Sequence, residues 1–380
     1  MSPMSSAHHN NTDYNDLPNP FITLAGEHIL SASDWLEKRR PELLELFRKH
    51  IYGRAPLDKP GSLRFSIQKE MRGALGGIAD IQQINILFDG RGERGCIQLL
   101  LVTPRAALHP IPCFLLINNR GKESIEPGDI RSTPFLPLER ILARGYAAAA
   151  FDVADVDPDE HDGFHNGVHG IFDPPDLPRP PDAWGTIAAW AWGASRVMDY
   201  LETDPRLAHD CIAVLGHSRG GKTALWCGAQ DERFALAISN ESGCTGAALA
   251  RGATGETIRQ INEAFPHWFC SAYRRYNDRP DLLPVDQHLL LALMAPRRVY
   301  VASAQADAWA DPKNEFLACV YASPVYRLFG LQGLESYEMP AVHQPLHAGY
   351  IGYHLRAGEH DLTVYDWERF MDYTDRHWNV

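Results

Sequence analysis

The 380-residue chain has no uninterrupted apolar run that approaches a membrane span, so it carries no ordinary transmembrane helix. Basic residues are scarce: 36 Lys and Arg stand against 48 Asp and Glu, a net charge of −12. Nucleic acids and anionic membranes both call for basic patches, so neither is expected as a partner. None of the seven cysteines has Cys-x-x-Cys spacing, and no zinc site is expected. Their odd number and mostly apolar settings point to free thiols, with Cys244–Cys270 the one pairing worth considering. No internal repeat or low-complexity linker divides the chain. The polar start, residues 1–20, lacks the apolar stretch of a signal peptide and is expected to be a disordered tail. The protein is accordingly expected in the cytoplasm, or outside it with a leader already removed.

Apolar residues make up 45%, enough for a sizeable core. Ala32–Tyr52 reads as an amphipathic helix with Trp35, Leu43, Leu44, Phe47 and Ile51 on one side. Arg64–Glu70, Ile81–Phe88 and Cys96–Thr103 read as strands of an antiparallel edge, separated by Gly-rich turns. Short continuous apolar runs at Pro112–Ile117 and Tyr146–Phe151 have the character of strands buried on both faces of a parallel sheet, with a helix near Leu136–Arg144 between them. Phe234–Asn240, Arg298–Ala304 and Ile351–Leu355 continue that sheet, and a helix over Tyr365–Trp378 closes the chain. Ala183–Glu202 is a further helix, and Gly243–Pro296 inserts helical material that could form a wall or lid. Asp152–Asp182 is acidic, Pro-rich and too long for an ordinary connection, which suggests an active-site loop.

The most informative segment is Gly216-His217-Ser218-Arg219-Gly220. A strand-like run, Cys211–Leu215, precedes it, and helix-forming residues from Lys222 follow. Strand, Gly-x-Ser-x-Gly and helix make the nucleophile elbow of a serine hydrolase. The turn forces the serine into strained geometry, so side chains at Gly216 and Gly220 would collide with the neighbouring strand and helix. Ser218 then needs a histidine to take its proton and an acid to orient that histidine, in the chain order Ser, acid, His. His360, after the last strand, occupies the expected place; His343, His347 and His354 fall within or before that strand and read as structural. Two acids are available: Glu241 after strand Phe234–Asn240 and Asp307 after Arg298–Ala304. Arg219 supplies a backbone N–H to an oxyanion hole, and its guanidinium either assists the oxyanion or forms a structural ion pair. Asp155, Asp157, Asp159, Glu160, His161 and Asp162 suggest calcium, but Glu160 stands where an EF-hand needs Gly and no closing Glu follows, so a solvated loop is expected. No cofactor or metal is expected.

At these residues the chain resembles the glucuronoyl esterases, carbohydrate esterase family fifteen, and their bacterial branch in particular. Trp184-Gly185-Thr186, Gly216–Lys222, Ser239–Cys244, Gly255-Glu256-Thr257, Phe265–Phe269, Pro284–His288, Trp309–Pro312 and Gly358–Asp361 carry the resemblance. It implies an α/β-hydrolase fold, a mostly parallel sheet between helical layers; with no repeat or linker in the chain, residues 21–380 are expected to form one catalytic domain, and the working unit is expected to be a monomer. It implies a 4-O-methyl-glucuronoyl methylesterase type of activity on the ester between (4-O-methyl-)glucuronic acid of xylan and a lignin alcohol. Ser218 would be the nucleophile, His360 the base and Arg219 the oxyanion aid, with Lys222, Glu256 and Trp309 holding the uronic sugar. Glu241 matches the family's usual acid and is favoured over Asp307 as the main partner of His360. Fungal members carry a disulfide-bonded Cys beside the serine, where this chain has His217. Other readings are an acetyl xylan esterase or another carboxylesterase on the same fold, which would leave Lys222, Glu256 and Trp309 without a joint use, and a carbohydrate-binding pseudo-hydrolase, which would leave Ser218 and His360 without one.

Overall fold

A computed structural model describes residues 16–56, 59–107, 110–126 and 132–378. Nine strands form one sheet: β1 (Arg64–Gly73), β2 (Ala79–Gly90), β3 (Glu93–Pro104), β4 (Ile111–Asn118), β5 (Ala147–Asp152), β6 (Leu207–His217), β7 (Leu236–Asn240), β8 (Arg298–Ala304) and β9 (Ile351–Arg356). Their order is β1-β2-β3-β5-β4-β6-β7-β8-β9. β1, β2, β3 and β5 pair antiparallel in turn, and from β5 through β9 all pairs are parallel. β4 is buried at every position. Alternate β4 side chains enter different cores, Cys113, Leu115 and Ile117 on one face and Phe114 and Leu116 on the other. Helices therefore cover both faces, as burial on both sides requires.

One face carries Thr186–Leu201, Arg219–Gln230, Gln287–Ala292, Pro312–Arg327 and the helical stretch 32–52, where α-helical turns at Arg40–Phe47 sit between wider π turns. The other carries Leu138–Ala143 and Val364–His377. Helix Pro312–Arg327 has no counterpart in the sequence reading, because its two prolines punctuate the helical pattern. Pro312 sits in the first turn, where a missing N–H costs nothing, and Pro324 in the last. Of the expected tail, residues 1–15 lie outside those described; Pro18 and Asn19 are held in place, their carbonyls accepting from His288 and Arg39. All seven cysteines are free thiols, Cys244 and Cys270 included.

The acidic stretch departs from the solvated loop expected of it. It includes a short helix at Gly167–Phe172. The Asp157 carboxylate is buried and accepts from His169 Nδ1 (2.8 Å) and Thr186 Oγ1 (2.7 Å). Asp155 takes the Gln98 N–H and pairs with Lys122, and Asp162 caps the N–H groups of Phe164 and Asn166. Burial among distant partners turns Asp155 and Asp157 into internal clips, their lone pairs spent on protein donors rather than on water, while Asp162 closes a local turn.

Candidate active site

Parallel pairing aligns the carboxyl ends of β6, β7, β8 and β9, the edge where open α/β sheets place ligands. Ser218 follows β6 directly, with φ +57° and ψ −121°, a conformation that a non-glycine residue holds only under strong constraint. Its N–H donates to Asn240 O (2.9 Å), which pins the turn to β7. A Cβ on Gly216 would sit 2.1 Å from Gly220 O, and one on Gly220 would sit 3.1 Å from Ile117 O of β4. The first is impossible and the second tight, so the glycines allow helix Arg219–Gln230 to start against the strands. Arg219 is the first residue of that helix, where a backbone N–H has no intrahelical acceptor and suits a developing anion.

His360 lies in an exposed turn beyond β9. Its Nδ1–H donates to Asp307 Oδ2 at 2.6 Å, which leaves Nε2 as the basic nitrogen. Glu241 Oε2 is 3.4 Å from the same Nδ1. The hydrogen bond of the imidazole thus goes to Asp307, whereas Glu241 was expected to be its main partner. Glu241 is tied down elsewhere: its Oε1 accepts from Arg356 Nη2 (2.5 Å) and its Oε2 from the Asp361 N–H (2.9 Å). Burial pushes the Glu241 carboxyl above the usual carboxylate range, against the pull of the Arg356 charge. Burial acts on Asp307 too, but the hydrogen bond and charge of His360 outweigh it and hold that carboxyl below its ordinary range. Glu241, Asp307 and His360 are close enough to share a metal ion, yet Arg356 already occupies one Glu241 oxygen with a positive charge.

His217, next to Ser218, is buried with its ring centroid 4.4 Å from that of His360. Its Nδ1 is 2.6 Å from Asn240 Oδ1. Burial, then the neighbouring His360, push it down to about 3, so it is neutral and packs as a flat wall. His343, His347 and His354 take structural partners, as expected: Ala357 N–H, the Tyr300 hydroxyl, and Tyr300 with Asp366.

Ser218 and His360 open into one cleft of about 300 Å³, which Arg219, Lys222, Glu256, Trp268 and Trp309 also line. Lys222 is 4% exposed and donates to Ser242 O (2.5 Å) and Cys244 O (2.6 Å). Burial lowers its pKa, partly offset by the charge of Glu256. Glu256 is 9% exposed, while Trp309 is 55% exposed at the cleft mouth. The Glu256 N–H donates to Trp309 O (3.0 Å), so these two are fixed to each other through the backbone. Phe265 and Trp268, which also line the cleft, stack with ring centroids 3.7 Å apart.

Of the two roles left open for the Arg219 guanidinium, the ion pair is present. The guanidinium pairs with Asp159 and lies 5.1 Å from the Trp268 ring, and Arg219 also lines the cleft beside Ser218. Asp159 is a site residue that the sequence reading missed, having been placed in a solvated loop. It gathers Arg219, His267 Nε2 (3.0 Å) and Trp268 Nε1 (2.7 Å). No local pattern marks it, because its three partners lie 60 to 109 residues away.

Similarity to known proteins agrees with this geometry. A family model described as glucuronyl esterase, fungi, matches residues 138–330. A protein named carbohydrate esterase MZ0003, from an unknown prokaryotic organism, is 42% identical over 389 residues, covering 95% of this chain and 89% of that protein. The solved glucuronoyl esterase from Solibacter usitatus superposes with a TM-score of 0.89 at 40% identity, covering 95% of this chain and 98% of that one. A promiscuous CE15 esterase from the marine bacterial metagenome gives 0.87 at 42% identity, covering 95% and 96%. Identity of this order along nearly the whole chain, on the same sheet, places the protein in a family: it belongs to the glucuronoyl esterases of carbohydrate esterase family fifteen, carboxylic ester hydrolases with the α/β-hydrolase fold.

Proposed function

We propose that residues 21–380 form one catalytic domain that hydrolyses the ester between (4-O-methyl-)D-glucuronic acid of glucuronoxylan and a lignin alcohol. Ser218 Oγ attacks the ester carbonyl while its proton passes to His360 Nε2. The tetrahedral oxyanion sits on the Arg219 backbone N–H with the guanidinium nearby. The carbonyl–alkoxyl bond then breaks, and His360 returns the proton to the departing alcohol. Water repeats the sequence on the acyl-enzyme: His360 takes its proton, glucuronate is released and Ser218 is reprotonated. Asp307 holds Nδ1–H and stabilises the imidazolium, with Glu241 in support.

The observation that carries the substrate reading is a buried cation, a nearly buried carboxylate and an exposed indole in the same cleft as Ser218 and His360. Two N–H groups of Lys222 are bound to Ser242 O and Cys244 O, which leaves the third for a sugar hydroxyl. Glu256 accepts from hydroxyls, and Trp309 covers an apolar ring face. Benzyl glucuronate, methyl galacturonate and acetylated xylan separate the alternatives: benzyl glucuronate is expected to be the best substrate, and a strong preference for the acetyl ester would overturn the reading.

Galacturonate differs from glucuronate only in the orientation at C4. A hydroxyl turned away leaves a buried donor or acceptor unpaired, at about 1–3 kcal/mol, so kcat/KM is expected to be roughly 5- to 150-fold lower for the galacturonate ester. Equal values for matched esters of the two sugars would remove Lys222, Glu256 and Trp309 from C4 recognition. Arg219→Ala is expected to lower kcat by about 10²–10³ with a smaller change in KM, because a charge facing the oxyanion acts in the transition state. An effect confined to KM would place Arg219 in ground-state sugar binding instead.

A further inference from the structure

Residues 357–361, the turn that carries His360, are all exposed, and an exposed turn containing glycine ordinarily has no fixed height above a sheet. Here the Ala357 N–H donates to His343 Nε2 (3.1 Å), the Gly358 carbonyl accepts from the Ala306 N–H (3.0 Å), and one buried side chain takes further carbonyls from below. Arg356, the last residue of β9, is 4% exposed. Its Nη1 donates to Ala357 O (3.0 Å), and its Nη2 lies within bonding distance of Glu359 O (2.8 Å), Asp361 O (2.6 Å) and Glu241 Oε1 (2.5 Å). Three of the turn's five carbonyls thus meet a single guanidinium. Glu241 closes the ring by accepting the Asp361 N–H (2.9 Å). The guanidinium is itself oriented by Asp366, which takes Nε–H at 3.0 Å and also accepts from His354 Nε2 (2.9 Å) and the Thr363 N–H (2.7 Å). The Tyr300 hydroxyl extends the chain, 2.9 Å from His354 Nδ1 and 2.7 Å from His347 Nε2.

We propose that Arg356 is a positioning residue for the reaction, resting on the assignment of His360 as the base. Its planar fork sets the height and tilt of the His360 turn over Ser218. By occupying Glu241 on the side away from His360, it also decides which carboxylate takes the imidazole. Glu241 at 3.4 Å and Asp307 at 2.6 Å are both near enough to compete for Nδ1–H, and the guanidinium settles the competition for Asp307. An ammonium cannot do the same work, because it lacks a flat fork of donors spanning several acceptors in one plane.

The test uses Arg356→Lys, which keeps the charge, and Asp366→Asn, which loosens the guanidinium from behind. Two readouts involve no uronate: turnover of p-nitrophenyl acetate, and the rate constant for labelling Ser218 with a fluorophosphonate. The labelling constant describes the folded molecules that react and does not depend on their fraction. A base displaced by about an ångström costs on the order of 10²-fold, so Arg356→Lys is expected to lower kcat and the labelling constant together by about 10- to 100-fold, with KM nearly unchanged. Asp366→Asn is expected to fall between this variant and the wild type. Adding Glu241→Gln to Arg356→Lys is expected to recover part of the loss, since the freed carboxylate no longer competes for the imidazole. Labelling of Arg356→Lys at the wild-type rate would overturn the proposal and leave the glucuronate reading untouched. So would a loss that appears only in KM.

Discussion

Ser218→Ala is expected to abolish ester hydrolysis, with kcat falling by about 10⁵–10⁶, while glucuronate still binds. Loss of the nucleophile alone removes nearly everything that a serine–histidine unit contributes, because its members act on one step and their effects do not add. What survives is the cleft. Lys222 stands one turn into the helix that Ser218 caps, Glu256 and Trp309 come from other segments, and none of their side chains is bonded to the Ser218 hydroxyl. The fold should survive as well. The Ser218 N–H bond to Asn240 O is a backbone bond that alanine keeps, and the positive φ costs alanine about what it costs serine. Calorimetric titration with glucuronate, alongside turnover of benzyl glucuronate, checks both halves. Wild-type turnover by a clean Ser218→Ala preparation would end the serine mechanism.

The sheet was legible because its central strands are continuous apolar runs that only burial on two faces explains. β8, expected over Arg298–Ala304, has those same bounds, and the other strands differ only at their ends. The elbow was legible for a related reason: a local backbone strain needs glycines at fixed offsets, and Gly216 meets Gly220 O at 2.1 Å if given a side chain. Information that was not local was lost. Asp159 looked like one of several loop acids until the fold brought Arg219, His267 and Trp268 to it. Glu241 and Asp307 both follow strands at the right edge, and the resemblance that favours Glu241 carries no information on which partner each carboxylate takes. Their ranking depends on Arg356, 115 residues from Glu241, and on the 2.6 Å contact of Asp307 with His360.

That ranking gives the second large expected effect. Asp307→Asn is expected to lower kcat by about 10²–10⁴, and Glu241→Gln by about tenfold. An amide in place of the orienting carboxylate holds the imidazole in the wrong tautomer and gives up the charge that stabilises the imidazolium, a loss of about 10⁴ where no second acid stands by. Here Glu241 Oε2 is 3.4 Å from Nδ1 and can accept in part, which sets the lower end of the range. Glu241→Gln instead weakens the hold on Arg356 and on the Asp361 N–H, so its effect reaches His360 only through the turn. The double variant is expected to lose more than the product of the two single fold losses, since the second carboxylate is then missing when it is most needed. The pH profile carries the sign of the charge effect. Asp307 is ionised across the working range, its carboxyl being held low by His360. Removing that negative charge makes protonation of the base harder, so the acid limb of kcat/KM should move to lower pH in Asp307→Asn. A larger kcat loss for Glu241→Gln than for Asp307→Asn, or an acid limb that stays in place without Asp307, would return the leading role to Glu241.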